Sequence, residues 1–242
     1  MNSIQGKHAF VTGASRGIGA AIAMALKDSG ATVTRTARQE REGILPCDVR
    51  SAEQVATAMT LAEQHHGPIN ILINNAGIGR SAKFLNTDQA MLDEMMDINL
   101  KGAWHSSRRA LPGMLAAKWG RIINIASLAG LEGYIYTSAY CASKHALIGL
   151  SRSLAAEYGS KGIAVAAICP GYTDSDMLTE TVANMAKQIG IPTEEARARV
   201  AALNPDGRII APSEIAAAVV QLCLADNAQA NGQIISIPET PK

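Results

Sequence analysis

The chain has 242 residues, 22 of them basic and 21 acidic, with 48% apolar and 18% charged side chains. That length supplies an ample core, and that composition excludes intrinsic disorder, collagen and coiled coil. A net charge of +1 and 4% aromatics offer neither the field nor the stacking surface that nucleic acid or anionic lipid would need. From the N-terminus the chain runs straight into a strand-like stretch, so no secretory leader is read there. The longest apolar run, 17–26, falls well short of the roughly 18 residues of a membrane span. Cys47, Cys141, Cys169 and Cys223 are widely spaced and read as buried thiols in a reducing cytoplasm.

Short β-branched runs then alternate with helical patterns. Strands are expected at 9–12, 31–36, 44–46, Ile69–Asn74, 121–125, 163–168 and Ile234–Ile237. Helices are expected near 19–28, 52–64, 88–117, Ser138–Tyr158 and 213–224. Most strand runs are continuously apolar, the pattern of parallel strands covered on both faces. Ser51 followed by Gln54 reads as a capping box, and Pro212 suits a first helical position. This alternation predicts a single α/β domain over residues 1–242, one doubly wound parallel sheet with helices on both faces. Two irregularities interrupt it. Residues 38–48 leave room for a loop only, so a crossover helix is expected to be missing. The stretch at about 172–211 carries no strand pattern and reads as a helical flap.

Thr12-Gly13-Ala14-Ser15-Arg16-Gly17-Ile18-Gly19 joins the first strand to the first helix. Glycines there let backbone approach a pyrophosphate, and the helix N-terminus behind them offers free N–H groups. Tyr140 and Lys144 are four residues apart on a helix and share a face. An ammonium beside a phenol favours the phenolate, so such a pair can exchange a proton with an alcohol or carbonyl oxygen. Ser127 follows the strand 121–125 at the end where open sheets place ligands.

With its G-x-x-x-G-x-G spacing, Tyr140-Cys141-Ala142-Ser143-Lys144 and Ser127 thirteen residues earlier, the sequence resembles the short-chain dehydrogenase/reductase family over nearly its whole length. Asn74-Asn75-Ala76-Gly77, Asn99 in Asp97-Ile98-Asn99-Leu100, and Pro170-Gly171 match further family motifs. The resemblance implies a Rossmann-type fold of about seven parallel strands. It also implies hydride transfer between a nicotinamide C4 and a secondary alcohol or ketone. In that scheme Tyr140 is the acid/base, Lys144 lowers its pKa, Ser127 polarises the substrate oxygen and Asn99 anchors a proton relay. Gly13, Ser15, Arg16, Gly17, Ile18, Gly19, Arg38, Asp48, Val49, Asn75, Ala76, Gly77, Pro170, Gly171, Thr173 and Ser175, with Tyr140 and Lys144, would contact the cofactor. No metal is implied.

NADP(H) is expected over NAD(H), which stays open. The place of the carboxylate that repels a 2′-phosphate holds Ala37, with Arg38 next to it and Arg16 in the glycine turn. Similarity to 3-oxoacyl-thioester and polyketide ketoreductases favours an acyl thioester or cyclic ketone, with a steroid, terpenoid or sugar alcohol as the alternative. Arg197 and Arg199 of the flap could meet a carrier's phosphates or be solvated helix charges. A non-catalytic nucleotide sensor is the rival class, and the intact Ser/Tyr/Lys set argues against it. A homotetramer or homodimer is expected through the helices 88–117 and Ser138–Tyr158, with Ala103, Ala146 and Leu150 facing outward. Ser175 replaces a family threonine. Pro238-Glu239-Thr240 stands where many members carry a glycine pair.

Overall fold

The computed structural model describes residues 3–239, so Thr240 of that C-terminal departure lies outside it. Seven strands form one parallel sheet: β1 (His8–Val11), β2 (Thr32–Ala37), β3 (Leu45–Pro46), β4 (Ile69–Asn74), β5 (Gly120–Ile125), β6 (Ile163–Pro170) and β7 (Ile234–Ile237). Their order is β3-β2-β1-β4-β5-β6-β7. The chain moves outward from β1 to β3 and then returns to place β4 on the other side of β1. That reversal opens a crevice at the C-terminal ends of β1 and β4, the usual ligand position in such sheets.

The alternation of side chains along each strand builds two cores. On one face Ala9, Val11, Ile71, Ile73, Ile123 and Ile168 pack beneath α1 (Gly17–Asp28) and α8 (Pro212–Leu224), through Ile22, Leu26, Ile215 and Val219. On the other face Phe10, Leu72, Ile122 and Val165 pack beneath α2 (Ala52–His66), α4 (Gly102–Ala117) and α5 (Ser138–Tyr158). β4, β5 and β6 are buried on both faces almost throughout, which is why their sequences are mostly apolar and do not alternate. Pro212 opens α8, where its missing N–H would have no partner. No helix joins β2 to β3, as the short loop there required. All four cysteines are free and buried.

Three local expectations need correction. The stretch 88–117 is not one continuous α-helix. α3 (Gln89–Met96) passes through a π-helical turn (Asp97–Lys101) before α4 begins. Ser51 and Gln54 make only half a capping box. Ser51 Oγ accepts the Gln54 N–H at 3.2 Å, but Gln54 Oε1 turns to the Asp48 N–H at 3.0 Å. Ala103 faces inward, packed in a cluster with Leu147 and Ile148. The π turn adds a residue per turn and so rotates the start of α4 relative to a straight-helix projection.

Residues 172–211 do form a helical excursion, carrying α6 (Asp176–Ile189) and α7 (Thr193–Ala201). Its ends are pinned together by a parallel bridge between Thr173 and Ile210. The buried Asn204 completes the clamp. Its Oδ1 accepts the Tyr172 N–H at 2.8 Å, and its Nδ2 donates to the carbonyls of Tyr172 at 2.9 Å and Arg208 at 2.6 Å. Among the described residues no helix is long and apolar enough to cross a membrane.

Candidate active site

The glycine turn lies in the crevice. Gly13 has φ +64°, and a Cβ there would sit 2.8 Å from the Cα of Ala76. Only glycine permits that approach of two backbones. Asn75 holds the turn, its Nδ2 donating to the carbonyls of Thr12 and Gly13 at 3.0 Å each. Thr12 Oγ1 in turn accepts the N–H groups of Asn75 and Ala76 at 3.0 and 3.1 Å. Asn74 points the other way, into the sheet, and donates to Asn124 Oδ1 at 2.8 Å.

Behind the turn, α1 starts with no side-chain cap and no acidic residue in its first turn. Its first N–H groups and the positive end of its dipole face the crevice, the donor set a pyrophosphate takes. The residues present therefore fit a dinucleotide. Gly17 leaves space between α1 and Ser175, whose Cβ lies 3.7 Å from where a Gly17 Cβ would be. Ser175 spends its hydroxyl as the N-cap of α6, accepting the Leu178 N–H at 3.3 Å. Thr173 is buried, with Oγ1 donating to the Gly171 carbonyl at 3.0 Å. Gly171 ends β6 beside Pro170, and its N–H donates to the Ile237 carbonyl at 2.8 Å. Val49 is buried against Gly102.

Four of the expected charges are not free. Asp48 is tied to Arg50 through Nε at 2.9 and 3.0 Å, and that bond holds its carboxyl below the usual range. Arg16 is ion-paired with Asp176. Arg197 and Arg199 bond Asp174 at 3.0 Å and Glu195 at 2.7 Å. Neighbouring acids within the flap thus satisfy both, the solvated-charge reading. Arg38 is exposed beyond β2.

Ser127, Tyr140, Lys144 and Asn99 converge beyond the ends of β4 and β5. Ser127 hydrogen-bonds the Tyr140 phenol, and its Oγ also accepts the Ala129 N–H at 3.1 Å. Lys144 Nζ is buried, 5.8 Å from the Tyr140 ring centre, and donates to the Ile125 carbonyl at 2.9 Å. Lys144 Nζ and Asn99 Oδ1 both face Gly77, 3.4 and 3.2 Å from the position of a Cβ there. Asn99 is buried and makes all its bonds to protein, to both backbone groups of Ile78 and to Ser143.

Burial pushes the Tyr140 phenol up to about 12, against the Ser127 hydrogen bond that pulls it down. Burial also lowers Lys144 to about 8. For this phenol, desolvation is the dominant effect. Around Tyr140 the flap contributes Met177 and Tyr172. A Cβ on Gly79 would lie 3.1 Å from Met177 Sδ and 3.5 Å from Tyr140 Cε2. Gly79 and Asp176 were missed from the sequence, because neither lies in a motif and both matter only through residues distant in the chain.

The short chain dehydrogenase family model matches residues 7–186. The chain belongs to the short-chain dehydrogenase/reductase family. It is 36% identical to a D-beta-hydroxybutyrate dehydrogenase of Cupriavidus necator, over 96% of each chain. It is 40% identical to the 3-oxoacyl-[acyl-carrier-protein] reductase FabG of Pseudomonas aeruginosa, over 74% of this chain and 78% of that one. The crystal structure of an actinorhodin polyketide ketoreductase variant with NADPH superposes with a TM-score of 0.91 at 31% identity, covering 98% of this chain and 97% of the other. This member of the family is an oxidoreductase with a seven-stranded Rossmann-type sheet.

Proposed function

We propose that this short-chain dehydrogenase/reductase interconverts a 3-oxoacyl thioester and its 3-hydroxyacyl counterpart, with NADP(H) preferred. The observation that carries the reading is the Ser127–Tyr140–Lys144 cluster at the crevice that the glycine turn opens. In reduction Tyr140 donates its proton to the carbonyl oxygen as the carbon becomes a carbinol. Ser127 donates a hydrogen bond to the same oxygen and orients it. The Lys144 ammonium offsets the charge left on the tyrosyl oxygen. Asn99 acts through the backbone of Ile78 and through Ser143, as a positioning residue. A bound nicotinamide would supply the hydride in reduction and accept it in oxidation.

Ala37 at the end of β2, with Arg38 after it, supports the 2′-phosphate preference, because no carboxylate stands there to repel it. The apolar wall of Met177 and Tyr172 beside Tyr140 suits an acyl chain, and the named activities of the relatives above agree with that class. Assembly as a homodimer or homotetramer fits a groove of about 380 Å³ between α4 and α5, lined by Trp104, Leu111, Leu150 and Tyr158 among others. Trp104 is 52% exposed, a large apolar surface for a free helix. The test is a panel of acetoacetyl-thioesters, cyclic ketones and steroids assayed with NADPH and NADH. Turnover highest on the acetoacetyl-thioester supports the reading, and turnover confined to steroids or cyclic ketones overturns its substrate class.

A further inference from the structure

The ion pair of Arg16 and Asp176 joins the glycine turn to the flap. Arg16 is the N-cap residue immediately before α1, with extended backbone (φ −163°, ψ 175°). Asp176 is the first residue of α6, held in place by the Ser175 cap. The side chains are 67% and 54% exposed. An exposed pair of this kind is weak and readily exchanged for a better partner. A phosphate monoester is such a partner, with nearly twice the charge of a carboxylate and room for paired hydrogen bonds from a guanidinium.

We propose that Asp176 is a specificity-determining residue that competes with the adenosine 2′-phosphate for Arg16. This rests on the reading that Arg16 faces that phosphate. Binding of NADP(H) then draws Arg16 away from Asp176. NAD(H) has no phosphate at that position and leaves the pair intact. The carboxylate therefore weakens NADP(H) binding and leaves NAD(H) binding unchanged.

Calorimetric titration of the protein with NADPH, NADH and adenosine 2′,5′-bisphosphate, without substrate, tests it. Asp176→Asn keeps size and removes charge at an exposed position, so the fold persists. It should lower the Kd for NADPH and for the bisphosphate about two- to fivefold, the strength of an exposed pair. The Kd for NADH should not move. In an Arg16→Gln background the same substitution should have no effect. Equal tightening toward NADH, no tightening toward NADPH, or an effect that survives Arg16→Gln would overturn the proposal. Arg16→Gln alone separates the two failures. If it leaves NADPH binding unchanged, Arg16 does not face the phosphate and both readings fall. If it weakens NADPH while Asp176→Asn is silent, only the role of Asp176 falls.

Discussion

Asn99 donates its amide to the hydroxyl of Ser143 at 2.9 Å, and Ser143 donates in turn to the Tyr140 carbonyl at 2.8 Å. One buried side chain thereby ties the π turn to the helical turn that carries both Tyr140 and Lys144. The same asparagine satisfies the N–H and C=O of Ile78. Asn99→Leu would leave those half-buried groups without their partner, at a cost of about 1–3 kcal/mol. Denaturant unfolding should show a loss of that size, and turnover should fall with it. Unchanged stability would remove Asn99 from this role.

Tyr140→Phe keeps the ring and removes the hydroxyl. Positioned acid/base catalysis contributes about 100- to 10,000-fold, so turnover should fall by at least that lower figure while NADPH binding persists. Retention of more than a tenth of wild-type turnover would contradict the assignment.

The pH response follows from the two shifts. Tyr140 stays protonated well above neutrality because burial raises its phenol to about 12. It can thus act as an acid throughout the neutral range. Lys144, lowered by burial to about 8, loses its positive charge as pH rises through that value. Reduction should therefore be flat below about pH 8 and decline above it. Alcohol oxidation needs the deprotonated tyrosine and should rise with pH. Initial rates in both directions check the signs, and a reduction rate that climbs from pH 6 to 9 would refute them.

Ala37→Asp combined with Arg38→Leu places a carboxylate at the end of β2 and removes the guanidinium. The repulsion and the lost charge-assisted bond, about 1.5–3 kcal/mol, should shift the NADPH/NADH ratio of kcat/KM toward NADH by at least about tenfold. A ratio that stays put would show that this corner of β2 does not read the ribose.

Trp104→Glu places a charge on the exposed apolar rim of the α4–α5 groove. Burying an unpaired carboxylate in an interface is costly, so light scattering should show a smaller assembly than the wild type at the same concentration. An unchanged mass would move the interface elsewhere.

The sequence alone determined whatever depends on near neighbours. The glycine turn, the strand–helix alternation and the Tyr140–Lys144 pair were legible because backbone sterics and helical spacing act within a few residues. The missing β2–β3 helix was legible from loop length. Tertiary structure decided the rest. Arg16 and Asp176 are far apart in the chain, and only the fold of the flap brings their charges together. Gln54 left Ser51 for the Asp48 N–H because the chain turns sharply after β3. The π turn at Asn99 re-aims α4, burying Ala103 and leaving Trp104 at the surface. A helical projection assumes an even 3.6-residue repeat, and one widened turn changes which face meets the core. The acidity of Tyr140 was decided in the same way, since desolvation depends on what the whole molecule packs around it.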